Sequence, residues 1–374
     1  MNINIYLALV LWIFFCTIFS RAAKNKKKVF CVLCALGLFV VLAFRDPVGF
    51  NIDNTRYYRT YHNISNANFK TAILSRDGLD SLFYSIEWLF GHLGVSYELF
   101  QIIVAAFCIY ATMSIVYKYS ASPYLSVMLY LGLGLFSFSF YLLKQIIAVS
   151  IILLVYDSLI NNKRTKAWIL QACAVLIHDS AIVFVPVLFC RQFLKNKKVF
   201  LLFYSIIAGV FFVFRLRIAE VIMYLTKDDY VGVYQISGRI GGLALFIIAC
   251  FLLFIVSIDY KKKNLSIDTD CTNELVYLSE KEGMLLFISA TALIIQILSS
   301  YAYAYTRLNF FYIQFYMLIL PNALYSSKIK HMSKNMYLLL KIIVYLVITV
   351  LMLMQFKNNI GELKTGYSFM WEMN

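Results

Sequence analysis

The sequence predicts an all-α polytopic membrane protein, and three observations support that fold class. Of the 374 residues, 62% are hydrophobic and only 14% are charged, whereas soluble domains carry about 45–50% apolar and about 25% charged residues. The mean hydropathy is +0.76, and the apolar residues form runs that approach the length of a membrane span, about 20 residues. The net charge of +15 does not indicate a nucleic-acid-binding protein, because such a protein displays its basic residues on a water-soluble surface.

The order of apolar runs and basic clusters predicts ten full spans. The first run has no charged segment before it and no cleavage site, so we interpret it as a retained span and not as a signal peptide. The basic residues between Arg21 and Lys28 place its end in the cytoplasm, since positive charge accumulates on that side. The predicted spans are 4–20, 29–44, 97–117, 123–141, 145–160, 199–214, 240–258, 284–299, 308–324 and 337–356.

Residues 1–374 are predicted to form a single integral membrane domain. It has outer loops at about 45–96 and 215–239 and a cytoplasmic loop at about 259–283. The apolar stretch 167–190 is unusual, because His178 and Asp179 lie at its middle. One full crossing would place every later lysine cluster outside, whereas a broken hairpin with His178 at its apex keeps both ends in the cytoplasm. We therefore favour the hairpin over a single span.

The cysteines and carboxylates give no sign of a metal or cofactor. Cys31 and Cys34 have the C-x-x-C spacing, but no second pair of ligands follows them, so helix packing explains them better. No carboxylate cluster resembles a dedicated metal site. We expect no metal and no cofactor.

The first candidate site residues follow the second predicted span. Arg45 lies at its outer end, and a guanidinium is well suited to phosphate because its planar fork donates two hydrogen bonds. An interfacial anchor is the ordinary alternative for this residue. The polar stretch that follows contains further candidates, of which the tyrosines could stack on sugar rings or belong to the aromatic belt: Asp53, Arg56, Tyr57 and Tyr58.

Three further positions carry charge at or inside apolar segments. Lys144 and Gln145 lie between two spans, where the ammonium needs an anion or a cavity. Ionisable groups such as His178 and Asp179 are costly inside a membrane and are usually functional, although a lone histidine is often a packing residue. Arg307 follows an aromatic run at the outer mouth of a span. Cations that converge from separate helices would form a site for a doubly charged phosphate group.

Together these residues resemble the EpsG-type family of bacterial exopolysaccharide and O-antigen polymerases, which are Wzy-like. The resemblance covers about residues 44–321. One departure is Lys144-Gln145, where such proteins often have Arg-Gln, because lysine loses the bidentate geometry. The matching motifs are Arg45, Gly49, Asp53 and Tyr57/Tyr58, then an alanine-rich run before His178-Asp179-Ser180-Ala181, then Arg307 before Phe310, Phe311 and Tyr312.

The resemblance implies a GT-C-like helical fold and glycosyl transfer from undecaprenyl diphosphate on the outer leaflet of the bacterial cytoplasmic (inner) membrane. It implies that Arg45 and Arg307 bind the diphosphate, with Lys144 as a weaker third cation. Asp53 and His178 compete for the role of base. The substrate-binding candidates are Arg56, Tyr57, Tyr58, Gln145 and Asp179.

The implied partners are glycans linked to undecaprenyl diphosphate, membrane lipids, and the chain-length regulator and flippase of the same pathway, with no nucleic acid. Two other classes stay open. A transporter or flippase for lipid-linked sugars would also carry ionisable residues inside its helices. A membrane acyltransferase that modifies the polysaccharide would also use a histidine, but it would need a cytoplasmic acyl donor.

Overall fold

The structure is a computed structural model that describes residues 5–48, 52–74, 79–190, 197–226, 272–299, 303–325, 334–362 and 367–372. This part of the chain is built from helices, and its one β-type pairing is an isolated bridge between Arg45 and Phe369. The predicted all-α class is therefore confirmed. The chain divides into two compact units, Met1–Ile182 with Val344–Asn374, and Val183–Ile343.

The first unit begins with two apolar helices. Three shorter helices follow in the polar stretch, and the later helices include the buried helix at the centre of the unit. Its helices up to residue 182 are α1 (Ile5–Ser20), α2 (Lys26–Ala43), α3 (Ile52–Ser65), α4 (Phe69–Leu74), α5 (Ser81–His92), α6 (Tyr97–Tyr119), α7 (Pro123–Gly132), α8 (Leu135–Phe138), α9 (Leu143–Ile160) and α10 (Arg164–Ile177). A 3₁₀ helix, Asp179–Phe184, follows α10.

The remaining described helices start with the short α11 and end with a long helix that enters the first unit again at Val344. They are α11 (Val185–Leu188), α12 (Lys197–Thr226), α13 (Thr272–Ser299), α14 (Tyr303–Ile313), α15 (Tyr316–Leu324) and α16 (Lys334–Glu362), followed by a 3₁₀ turn at Met370–Glu372.

Three of the described helices are long and apolar enough to cross a membrane: Tyr97–Tyr119, Leu143–Ile160 and Asn335–Phe356. All three agree closely with predicted spans, at 97–117, 145–160 and 337–356. Helix α9 is buried on nearly all sides and packs against α6 and α10, so it forms the centre of the first unit. A helix that is apolar all round belongs in such a position.

Two predicted spans are not continuous helices. The span predicted at 123–141 ends at Gly132, because Gly134 adopts a left-handed conformation with φ of +76°. The span predicted at 308–324 is divided between α14 and α15. The predicted span 240–258 lies outside the described residues. The number of full spans therefore stays a prediction.

The predicted outer loops contain regular structure. The stretch 45–96 holds α3, α4 and α5, and α3 and α4 both pack against α5. Residues 215–226 continue helix α12, which has a kink at Phe214. The part of 259–283 that the structure describes belongs to α13.

The predicted break at His178 is confirmed. Helix α10 ends at Ile177, and His178 is extended, with φ of −154° and ψ of 112°. The side-chain amide of Gln171 donates a hydrogen bond of 2.8 Å to the carbonyl oxygen of Ala181. Ten residues of continuous helix would separate these positions by about 15 Å. The chain therefore turns back after His178, and one continuous helical span over 167–190 is excluded.

Candidate functional site

Three segments of the first unit meet at the carboxylate of Asp80. This residue precedes helix α5 in the N-cap position, yet its side chain makes no capping hydrogen bond. Its Oδ2 forms an ion pair with the ammonium of Lys144 at the start of α9. Its Oδ1 accepts a hydrogen bond of 3.3 Å from the backbone N–H of Asp179. The structure thus brings together Lys144 and the His178–Asp179 turn, which are far apart in the sequence.

Lys144 is surrounded by an anion and two aromatic rings. Its Nζ lies 3.3 Å from the hydroxyl of Tyr84, 5.1 Å from the centre of that ring and 5.9 Å from the centre of the Phe83 ring. Rings attract cations through their negative faces. The anion that the sequence analysis required for Lys144 is therefore supplied by the protein, from Asp80. Gln145, the next residue, is buried.

The imidazole of His178 lies beside a second carboxylate. Its Nδ1 is 3.7 Å from Oδ1 of Asp179, and that oxygen accepts a hydrogen bond of 2.6 Å from the backbone N–H of Ser180. The His178 side chain is 25% exposed and the Asp179 side chain 58% exposed, so reactants can reach both. An imidazole next to a carboxylate is a suitable proton acceptor, because the negative charge stabilises the imidazolium.

The same residues resemble a set of metal ligands. One ligand atom each from Asp80, His178 and Asp179 lies within 4.8 Å of the others. The ammonium of Lys144, however, already occupies Asp80, and its positive charge opposes binding of a second cation there. The arrangement therefore favours proton transfer over metal binding, and the expectation of no metal stays a prediction.

Helix α3 contributes Tyr57 to the same region. Burial raises the pKa of the Tyr57 hydroxyl to about 12, the nearby ammonium of Lys144 opposes this shift, and the negative charge of Asp53 adds to it. The Tyr57 ring also lies 6.2 Å from the Phe83 ring on α5, which places it in the same region. The other candidates on α3 differ: the Tyr58 ring lies 5.3 Å from the Tyr97 ring, and Arg56 is exposed.

A buried carboxylate on α5 was not identified from the sequence. Glu87 is 0% exposed. The pKa of Tyr61 is raised to about 12, mainly by the burial of Tyr61 and in smaller part by the negative charge of Glu87. Asp80 was also missed. It follows Asp77 in the same polar stretch, and nothing in the local sequence distinguishes the two. The apolar turn of helix that begins at Ser81 is the one signal that marks Asp80 as a helix-start residue.

Arg45 occupies a second, fully buried position in the first unit. It is 2% exposed, and its Nη1 donates a hydrogen bond of 2.6 Å to the carbonyl oxygen of Leu42 at the end of α2. Its Nε has no hydrogen-bond partner among the described residues, and no ion pair of the described chain includes it. A buried guanidinium without an anion is costly, so this position is suited to receive one.

The chain around Arg45 is held by a glutamine and by the C-terminal segment, residues 367–372. The side-chain amide of Gln101 donates to the carbonyl oxygens of Ala43 and Arg45, at 3.0 and 2.9 Å. The C-terminal segment forms the isolated bridge between Phe369 and Arg45. Trp371 stacks on the Phe369 ring at 4.4 Å. The packing of the C-terminal segment on Arg45 was not predicted from the sequence. A signal was present, since three of the six residues of this segment are aromatic: Tyr367, Phe369 and Trp371.

Arg307 belongs to the other compact unit, on helix α14, and is partly buried. In that unit the hydroxyl of Tyr312, also on α14, donates a hydrogen bond to the carbonyl oxygen of Val183. The Phe184 ring packs against the Tyr312 and Phe315 rings, at 5.3 and 5.6 Å. These contacts attach α14 to the residues that follow the His178 turn. A shared diphosphate site for Arg307 and Arg45 stays a prediction.

Comparison with known proteins identifies the family. No curated protein and no solved structure matches the chain. The EpsG family matches over residues 28–367, which is nearly the whole chain and includes every candidate site residue named above. The apolar helices and this match together make the chain a membrane protein of polysaccharide biosynthesis. The chain belongs to the EpsG family of Wzy-like exopolysaccharide polymerases.

Proposed function

We propose that this protein joins lipid-linked oligosaccharide repeat units into a surface polysaccharide. The growing chain on undecaprenyl diphosphate is the donor, and the non-reducing end of one lipid-linked repeat unit is the acceptor. The observation that carries the proposal is the meeting of Lys144, the His178 turn and Tyr57 at the start of helix α5, in a member of a polymerase family.

In the reaction, the acceptor hydroxyl oxygen forms a bond to the anomeric carbon of the donor. The bond between that carbon and the diphosphate oxygen breaks, and the lipid diphosphate leaves with the electron pair. His178 accepts the hydroxyl proton, and Asp179 stabilises the imidazolium from 3.7 Å. Asp53 remains the rival base, since its charge acts on Tyr57 in the same region.

The leaving diphosphate needs cations that are already in place, because its negative charge develops in the transition state. Arg45 is the main candidate, since it is buried and has an unsatisfied Nε. Arg307 is the second. Lys144 is the third: Asp80 and Tyr84 accept hydrogen bonds from two of its three ammonium N–H groups, which leaves one N–H for a phosphate oxygen.

We further propose a GT-C-like arrangement in the cytoplasmic membrane, with the site on the outer side. The contact between the C-terminal segment and the end of α2 supports this topology. The predicted alternation of spans would put Arg45 and the residues after α16 on the same side of the membrane, which agrees with that contact. The chain-length regulator and the flippase of the pathway are the proposed partners.

The experiment uses a strain that lacks the gene and is complemented with variants. We expect Arg45→Ala and Arg307→Ala to leave single-repeat material on the surface, and lysine at either position to rescue poorly, because lysine cannot bind bidentately. Arg21→Ala is the matched control, since Arg21 is exposed and precedes helix α2, whereas Arg45 follows that helix. The amount of each variant in the membrane is measured in parallel.

Normal long chains from both alanine variants at normal protein levels would reject the assignment of the two arginines. Sugar transport in proteoliposomes, together with an unchanged polymer length in the deletion strain, would indicate the transporter class. Loss of acyl groups from a polymer of normal length would indicate the acyltransferase class.

A further inference from the structure

The side chain of Asp80 connects two elements of the site and does not serve its own helix. An aspartate in the N-cap position ordinarily accepts a hydrogen bond from the first turn. Here that bond is missing, and each carboxylate oxygen has a partner from another segment: Lys144 on one side and the Asp179 backbone N–H on the other. The carboxylate is 17% exposed, so water competes weakly for both contacts.

We propose that Asp80 is the positioning residue of this site, and that it fixes the Lys144 ammonium and the His178–Asp179 turn at a set separation. The proposal rests on the proposed function. Asp80 acts through these two groups and does not need to touch the substrate. No motif in the sequence analysis assigns it a role.

The two groups need such a constraint for different reasons. Lysine has a flexible four-carbon side chain, and without a fixed anion its ammonium would move toward water. Asp179 starts a short 3₁₀ helix, and its backbone N–H has no acceptor within that helix. One carboxylate satisfies both, so the distance between the cation and the imidazole is set by the position of Asp80 at the start of α5.

The charge of Asp80 has a second effect. It compensates the Lys144 ammonium in the resting protein, within a mainly apolar environment that includes the rings of Phe83 and Tyr84. An asparagine has nearly the same shape and keeps an oxygen for the Asp179 N–H, but it loses this compensation. Asp80→Asn therefore separates the charge from the hydrogen bond, whereas Asp80→Ala removes both.

The first measurement tests the contact independently of any enzymatic activity. Hydrogen–deuterium exchange is measured on the purified full-length protein for the peptide that covers residues 178–182. We expect Asp80→Ala to accelerate exchange of this turn by about tenfold, as the loss of one hydrogen bond of typical strength predicts. Asp80→Asn should exchange like the wild type. An unchanged rate in Asp80→Ala would overturn the proposal.

The second measurement is polymer length in the complemented deletion strain, with the membrane level and the thermal stability of each variant as controls for folding. Asp80→Asn should shorten the polymer at a normal protein level. The double variant that exchanges the pair, Asp80→Lys with Lys144→Asp, should regain the thermal stability of the wild type but not its polymer length. The reason is that the cation then lies before α5 and not at the start of α9. Full-length polymer from this double variant would show that the Asp80–Lys144 ion pair only stabilises the fold, and it would overturn the proposal.

The chain offers a matched control in the Lys118–Asp157 ion pair, whose atoms are 3.0 Å apart. Asp157→Asn should leave polymer length and exchange of the 178–182 peptide unchanged. Failure of the proposed function is distinguishable: in that case the deletion strain makes normal polymer, while the exchange measurement still decides whether Asp80 holds the turn.

Discussion

Replacing Gln101 by leucine tests how the chain around Arg45 is held. The glutamine is 1% exposed and donates to two carbonyl oxygens, of Ala43 and Arg45, at the end of helix α2. Leucine has a similar volume and no donor, so both carbonyls lose this partner inside the protein. Gln101→Leu therefore perturbs the hydrogen bonds and leaves the packing volume nearly constant.

The expected cost follows from these two bonds. A buried polar group without a partner costs about 1–3 kcal/mol in soluble proteins, whereas hydrogen bonds within membranes average about 0.6 kcal/mol. Loss of two hydrogen bonds at the membrane value gives a destabilisation of about 1 kcal/mol, and partial loss of partners at the value for soluble proteins gives about 3 kcal/mol. We therefore expect a destabilisation of about 1–3 kcal/mol. This range corresponds to about a 5- to 150-fold change in the unfolding equilibrium.

The assay is the thermal unfolding of the detergent-purified protein, followed by tryptophan fluorescence. Asn66→Ala is the control, because Asn66 is exposed and its amide bonds only within its own turn, to the carbonyl oxygen of His62. Gln101→Leu should unfold at a lower temperature than both the wild type and this control. A midpoint equal to that of the wild type would refute the argument that Gln101 holds the residues beside Arg45.

Two further predictions concern stability. Gly134→Ala should destabilise by about 1–2 kcal/mol, because a Cβ would be strained at φ of +76° and would lie 2.7 Å from Nε2 of Gln355. Gly209→Ala is the control, because a Cβ there would point into open space beside its own helix, and equal unfolding midpoints for the two variants would contradict this reasoning. Tyr312→Phe removes the hydrogen bond to the carbonyl oxygen of Val183 and should lower the free energy of unfolding by about 1 kcal/mol in the same assay. An unchanged midpoint would contradict this and show that water replaces the hydroxyl at that carbonyl.

Hydropathy and charge were sufficient for features that depend on local composition. The predicted span 97–117 corresponds to Tyr97–Tyr119, since an uninterrupted apolar run has few alternatives to a helix in a membrane. The turn at His178 was also predictable, because an ionisable pair interrupts an apolar run and the lysine clusters on either side require a return.

Features that depend on distant partners were not predictable. The end of α7 reflects Gly134, whose conformation accompanies the packing of Gln355 from helix α16. Asp80 gains its importance from Lys144 and Asp179, and neither lies near it in the sequence. The position of Arg45 just after the second helix was predictable from the sequence, but its burial under the C-terminal segment was not.

The contact between the C-terminal segment and the end of α2 has a consequence for biosynthesis. Asp46 and Ser368 are 322 residues apart, and Val41 and Tyr367 are 326 residues apart. At about 5–20 residues per second, the ribosome needs roughly 16 to 65 seconds to make the intervening chain. Helix α2 is therefore made long before residues 367–372, and Arg45 lacks its contact with that segment until the segment has been translated.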